Sequence, residues 1–362
     1  MYRYLFFLKQ QNSYVNDKND WSKHDVLYSW WDKAKLAVFP QYHPFLGWSI
    51  LPLTSEKINI DNTGIRTTVF NPPVDPSKSY HSLAFFGGST IWGELVSDEN
   101  TIPSLVSSLL NKTTPSYQVT NYGQVAYTSN QELMYFIQLL KENTKFENVV
   151  FYSGCNDFVV RTMYTKPAMV YGEEQRRQEL GHMWIIPNSF PNRSLINPGL
   201  MKDSVQFIST YIKIIHYPIE IIKYITGQRT PKEDIFFVPN FTDETYEKLS
   251  TDIVENYYKN TKIIDALAKS YNFKYTLVWQ PILYTKKTKS SQEEKLLPPQ
   301  KDDYAKLTNL IRSKLADKKI PHFYDFSDIF NTDTETIFAD VCHITMEGNQ
   351  ILSDKLIELV KK

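Results

Sequence analysis

His81-Ser-Leu-Ala-Phe-Phe-Gly-Gly-Ser-Thr90 is a short apolar run closed by two glycines and two hydroxyl residues. It predicts a buried strand that breaks into a tight turn. The pattern repeats downstream. Thr101 to Leu110 predicts a helix, with Thr101 as N-cap and Pro103 in the first turn. Tyr117-Gln-Val-Thr-Asn121 predicts a second strand, and Ser129 to Glu142 a helix with Leu133, Phe136, Ile137 and Leu140 on one face. Asn148-Val-Val-Phe-Tyr152 predicts a third strand. After an interruption the rhythm resumes with a helix over Glu244 to Ser270 and a strand over Phe273 to Trp279. A helix over Asp302 to Lys318, a last strand His322 to Phe326 and a closing helix Glu347 to Val360 complete it. Strands alternating with helices imply an α/β chain with a parallel sheet covered on both faces.

Two segments depart from that rhythm. Residues 1–80 read as an irregular, aromatic N-terminal extension packed on the core, with Asn71-Pro-Pro-Val-Asp-Pro76 as a turn or linker. Four of the seven tryptophans, Trp21, Trp30, Trp31 and Trp48, lie there. They read first as core packing and second as a sugar platform, because aromatics are large fillers before they are ligand sites. Residues 161–242 read as an insertion in the 81–362 domain. Its Tyr211 to Ile225 stretch is expected to be a buried amphipathic helix, with a membrane-surface or partner-binding helix as the sharper alternative. Thr285 to Gln300 reads as a polar, lysine-rich loop.

Composition narrows the class. The chain has 362 residues, of which 42% are hydrophobic and 14% aromatic, enough for a sizeable core and against disorder. Forty basic residues balance forty acidic ones, so no nucleic-acid partner is expected. The Leu5 to Leu8 run is too short for a signal-peptide core. Charges and Pro218 interrupt the longest apolar stretch, Ile208 to Ile225, so no integral membrane span is expected. The default compartment is the cytoplasm, or the periplasm or extracellular space if the N-terminus was trimmed. The two cysteines, Cys155 and Cys342, cannot form a disulfide framework or a structural zinc site. Both lie in loops of the expected site. They read first as two reduced thiols and second as a redox-sensitive pair.

In open parallel sheets, ligands bind beyond the carboxyl ends of the strands. The residues found there are Gly87-Gly88-Ser89-Thr90, Asn121-Tyr-Gly123 and Gly154-Cys-Asn156-Asp157, with Asp340-Val-Cys-His343 just before the last helix. Ser89 sits on a strand-to-helix turn. Serine needs a base to attack at neutral pH, and His343 is the candidate. Asp340, three residues earlier, would fix the histidine's tautomer and stabilise its cation. The Ser89 N–H, the Gly123 N–H and the Asn156 amide are candidate donors to an oxyanion. Each piece alone has a plainer reading: Ser89 and Asp340 as helix caps, Gly123 and Asn156 as turn residues, His343 as a surface histidine, Asp157 as structural.

Taken in order, the four pieces resemble the blocks of the SGNH hydrolases, or GDSL-like family, named for a Ser, a Gly, an Asn and a His. The resemblance covers about residues 81–160 and 245–362. It implies a flavodoxin-like three-layer α/β/α sandwich and a serine esterase acting on acyl esters through an acyl-enzyme. Gly88 stands where the family often has Asp, a form found in a subset of the family. His43-Pro-Phe-Leu-Gly-Trp48, Asn59 and Gly64-Ile-Arg66 resemble extensions of members associated with bacterial surface polysaccharides, which points to O-acetyl groups on a carbohydrate. The expected partner is an acylated small molecule or glycan; the sequence does not specify partner proteins. An acyltransferase with the same residues and a catalytically silent glycan-binding or assembly protein are the alternatives. The chain lacks the G-x-S-x-G elbow, G-x-G-x-x-G, H-E-x-x-H and C-x-x-C, so no α/β-hydrolase, dinucleotide, metal or other cofactor is expected.

Overall fold

Leu83 and Phe85 point to one face of the strand β3 (His81–Gly87) and Ala84 and Phe86 to the other, and both faces are covered. That double burial is what a central strand of a parallel sheet needs. The structure, a computed structural model, describes residues 40–113, 115–163, 170, 171, 173 and 240–361. After β3 come α1 (Ser89–Trp92), α2 (Ile102–Asn111), β4 (Tyr117–Asn121), α3 (Ser129–Lys141), β5 (Asn148–Ser153) and α4 (Cys155–Met163). From residue 240 on come α5 (Asp243–Tyr271), β6 (Lys274–Trp279), α6 (Ser291–Lys295), α7 (Lys301–Asp317), β7 (Phe323–Asp325) and α8 (Met346–Val360).

The sheet order is β4-β3-β5-β6-β7, with every neighbouring pair parallel. Numbered from β3, this is the flavodoxin-like order 2-1-3-4-5, whose switch point lies between β3 and β5. On one face, Leu83, Phe85, Val150 and Val278 pack against Ile102 and Val106 of α2 and Leu352 and Leu356 of α8. On the other, Ala84, Phe86, Val149 and Leu277 pack against Leu133 and Phe136 of α3 and Ile264 and Ala268 of α5. The result is a three-layer α/β/α sandwich. Burying each large apolar side chain stabilises the fold by about 1.5–3 kcal/mol.

The helices start where their caps stand. The Thr101 side chain accepts from the Ser104 N–H at α2, Thr128 and Gln131 form a capping box at α3, and Thr345 accepts from the Gly348 N–H at α8.

Two expectations need correction. Within the stretch read as irregular, β1 (Pro40–His43) and β2 (Gly47–Ile50) form an antiparallel hairpin. Within the stretch read as a polar loop, α6 is closed by a Ser290–Glu293 capping box. The segment read as a linker is pinned to the sheet: the Asn71 amide pairs with both the N–H and the C=O of Val119, covering the edge of β4. Trp48 is packed, its indole donating to the Val125 carbonyl and its ring edge-on to Tyr127. Trp21, Trp30, Trp31 and the Tyr211 to Ile225 stretch, expected to be a helix, lie outside the described residues. The chain divides into two compact units, residues 162–239 and the remainder. Among the described residues no helix is long and apolar enough to cross a membrane.

Candidate active site

Ser89 opens α1 directly after β3, at the carboxyl edge of the sheet beside the switch point. Its hydroxyl lies 2.6 Å from His343 Nε2, across a sequence separation of 254. The other ring nitrogen, Nδ1, lies 2.6 Å from Asp340 Oδ2. Asp340 Oδ1 accepts from the backbone N–H groups of Cys342 and His343, at 2.8 and 2.7 Å. Four residues thus make a self-locked loop, closed by the Ala339 N–H donating to the His343 carbonyl at 2.8 Å. With Nδ1–H donated to Asp340, Nε2 has its lone pair toward the Ser89 hydroxyl, the tautomer that accepts the serine proton.

The electrostatics follow from burial and charge. Burial pushes the Asp340 carboxyl up, but the His343 charge and the hydrogen bonds from His343 and Cys342 outweigh it and hold it below the ordinary range. Burial pushes the His343 imidazole down, but Asp340 and Glu94 outweigh it and lift the ring well above its ordinary value.

Glu94 is the residue the sequence reading missed. Its Oε2 lies 3.3 Å from His343 Nε2, the same nitrogen that faces Ser89. The turn after α1 places it there, with the Gly93 and Glu94 N–H groups both donating to the Ser89 carbonyl at 2.9 Å. A glutamate five residues beyond a candidate serine carries no motif. Only the turn geometry brings it back to the histidine.

The candidate oxyanion donors are placed unequally. Asn156, at the start of α4, donates through Nδ2 to the Tyr127 carbonyl at 2.8 Å. Its amide lies against Gly88: a Cβ there would stand 2.3 Å from Nδ2. A side chain at that position would have to displace the Asn156 amide. The Gly123 N–H donates to Asn121 Oδ1 at 3.0 Å, so that hydrogen already has an acceptor. A Cβ on Gly123 would stand 2.4 Å from the Trp92 nitrogen, so the α1 backbone passes close over it. Asn121, fully buried, also donates to the Ile91 carbonyl and ties the end of β4 to α1.

Supporting groups surround the site. Arg66, fully buried, donates to Asp98 at 2.8 Å and to the carbonyls of Trp92, Gly93 and Val96, gripping the chain around Glu94. Asn59 bonds the second oxygen of Asp98. Asp157 takes the Ser129 N–H and hydroxyl, pinning the start of α3 to α4. The expectation of two reduced thiols is corrected: Cys155 and Cys342 are joined in a disulfide, with their Cα atoms 6.2 Å apart. The bond ties the start of α4, which bears Asn156, to the loop of His343. Among the described residues no three His, Cys, Asp or Glu side chains are grouped as a metal ion would require.

No protein-family model matches the chain, and no curated protein does. Several solved structures are similar to it. The acetyl xylan esterase AlAXEase is 14% identical, over 77% of this chain and 99% of its own, with a TM-score of 0.40. The acetylxylan esterase Axe2 from Geobacillus stearothermophilus is 13% identical, over 78% of this chain and 95% of its own, at 0.37. TesA is 12% identical, over 78% and 98%, at 0.39. These likenesses are loose and concern the fold alone.

Proposed function

We propose that the chain is a serine esterase of the SGNH type. The observation that carries this reading is the Asp340–His343–Ser89 relay, two 2.6 Å contacts on one imidazole made by residues from opposite ends of the domain. In the reaction, Ser89 Oγ attacks the ester carbonyl as His343 Nε2 takes its proton, and Asp340 stabilises the cation that forms. The Ser89 N–H and the Asn156 amide stabilise the oxyanion; the Gly123 N–H joins them by sharing its hydrogen with Asn121. His343 returns the proton to the leaving alcohol, then activates water against the acyl-enzyme. Acetyl on a carbohydrate hydroxyl is the substrate class the resemblance of the N-terminal segment favours. The Cys155–Cys342 bond favours an oxidising compartment over the cytoplasm, where such bonds are rare.

The test is hydrolysis of p-nitrophenyl acetate by the wild type and by Ser89→Ala. We expect the variant to lose at least about a thousandfold in kcat, the scale on which nucleophile removal acts in serine hydrolases. Undiminished release by Ser89→Ala would end the serine mechanism. A wild type active on this ester then goes to a screen of acetylated glycans, where acetate release identifies the alcohol side.

A further inference from the structure

His343 Nε2 has two partners, and the relay uses one. Ser89 Oγ lies 2.6 Å away and Glu94 Oε2 lies 3.3 Å away. The Glu94 side chain is almost buried, at 10% exposure, and the histidine is 13% exposed. A carboxylate oxygen is therefore held in the reacting corner, on the nitrogen that moves the proton. Arg66 holds the turn that bears it through three carbonyls around residue 94. The guanidinium is spent on those carbonyls and on Asp98, and no bond from it to the Glu94 carboxylate is formed. The charged and titratable groups bearing on the imidazole are Asp340 on its own loop and Glu94 from the turn after α1, with the Ser89 hydroxyl between.

We propose that Glu94 is a further catalytic residue: it holds the water that attacks the acyl-enzyme and so favours hydrolysis over transfer to an alcohol. The inference rests on the serine esterase reading. In the acyl-enzyme, Ser89 Oγ is esterified and Nε2 is open to a new partner. Two acceptors then face one small space, Nε2 and Glu94 Oε2. Water has two hydrogens and satisfies both. Its oxygen bonds to the acyl carbon, one proton passes to Nε2, and the other stays in a hydrogen bond to Glu94. The tetrahedral intermediate collapses by breaking the bond from carbon to Ser89 Oγ, which recovers the proton from Nε2. The free acid leaves with the remaining hydrogen. An alcohol has one hydroxyl hydrogen, gives it to Nε2 and leaves the carboxylate without a donor beside its carbon chain. An unsatisfied buried acceptor opposes that complex.

A carboxylate that only steadied the imidazolium would act on both half-reactions, since both pass through that cation. A carboxylate that holds water acts on deacylation alone once the pH is above the ascending limb, where the ring is neutral with or without Glu94, so both steps are measured there. The experiment therefore separates the two steps, using p-nitrophenyl acetate with the full chain. The nitrophenol burst gives the acylation rate and the fraction of active sites. The steady state gives deacylation. Methanol in the buffer gives the ratio of methyl acetate to acetate. For Glu94→Leu we expect the burst rate to stay within about threefold, deacylation to fall about tenfold to a hundredfold, and the methyl acetate ratio to rise by a similar factor, the scale of a lost hydrogen bond to a charged group. Glu94→Gln keeps an acceptor oxygen and should recover part of both. Equal losses in the two steps, or an unchanged product ratio, would overturn the proposal. If Glu94→Leu shows no burst because it does not fold, the Gln variant decides by the same ratio. Failure of the underlying reading looks different: Ser89→Ala would then still release nitrophenol.

Discussion

His343 carries the largest electrostatic tension in the site. Its ring is buried, which disfavours the cation, yet Asp340 and Glu94 stand on its two nitrogens and reverse the balance. In the proposed mechanism only the neutral ring takes the serine proton, so activity must wait for the imidazolium to lose its own. The ascending limb of kcat/KM against pH is therefore expected well above 6.5, the ordinary value for histidine. Glu94→Gln removes one of the two charges and should move the limb down. A blank-corrected profile with p-nitrophenyl acetate checks both, and a wild-type limb at or below 6.5 would contradict the assignment of forces. Stability runs the other way. The raised imidazole contributes stability that is complete below about 6.5 and is lost as pH climbs through its folded-state value. Asp340, lowered, contributes stability above its ordinary 3.8 that is lost only as pH falls through its own folded-state value. The pair thus stabilises the fold most where it is least active as a base.

At the scale of elements, the loop bearing Asp340 and His343 is held by a buried ion pair. Lys286 and Glu293 are both fully enclosed, with Nζ 2.9 and 2.7 Å from the two carboxylate oxygens. Glu293 also accepts from the backbone N–H groups of Ile337 and Phe338, and Lys286 donates to the Glu335 carbonyl. This clamp stands just ahead of Asp340. Lys286→Met leaves the carboxylate without its cation, at a cost of about 3–5 kcal/mol, and should lower kcat as the loop loosens. Lys286→Met with Glu293→Gln removes both charges while the amide oxygen still accepts from the backbone, so part of the stability should return. Urea unfolding of the two variants tests this; a double variant no more stable than the single one would reject the ion-pair account. The clamp also shows what a sequence conveals. The alternating elements were legible because buried strands are uniform apolar runs and a helix can carry a recognisable cap, as at Thr101. The Ser89, His343 and Asp340 pieces were legible because each follows a strand or precedes a helix. The segment over residues 285–300 read as an exposed loop because lysines and glutamates normally stay in water. Nothing local announces that Lys286 and Glu293 are buried against each other, and Glu94 was hidden for the same reason.

Over the whole molecule, the site is assembled from the two ends of the sheet's sequence. Ser89, Gly123 and Asn156 follow the first three strands of the sheet, and Asp340 and His343 precede the last helix. Core packing and hydrogen bonds hold these halves in register. The Cys155–Cys342 disulfide does so covalently, joining neighbours of Asn156 and His343 across a separation of 187 residues. Its main effect is on the unfolded chain, where it closes a long loop, so its removal is expected to cost about 2–5 kcal/mol. Neither sulfur belongs to the relay, and the Cys342 N–H that Asp340 accepts is backbone, unchanged by substitution. A variant with Cys155→Ser and Cys342→Ser should therefore unfold at a lower denaturant concentration yet keep most of its kcat at 25 °C. Dithiothreitol should bring the wild type to the same midpoint and leave the double variant unmoved. A non-reducing digest of the wild type should yield one peptide pair linked through these cysteines. Unlinked peptides, or a midpoint insensitive to both treatments, would mean that packing and the Asp340 loop alone align the two halves.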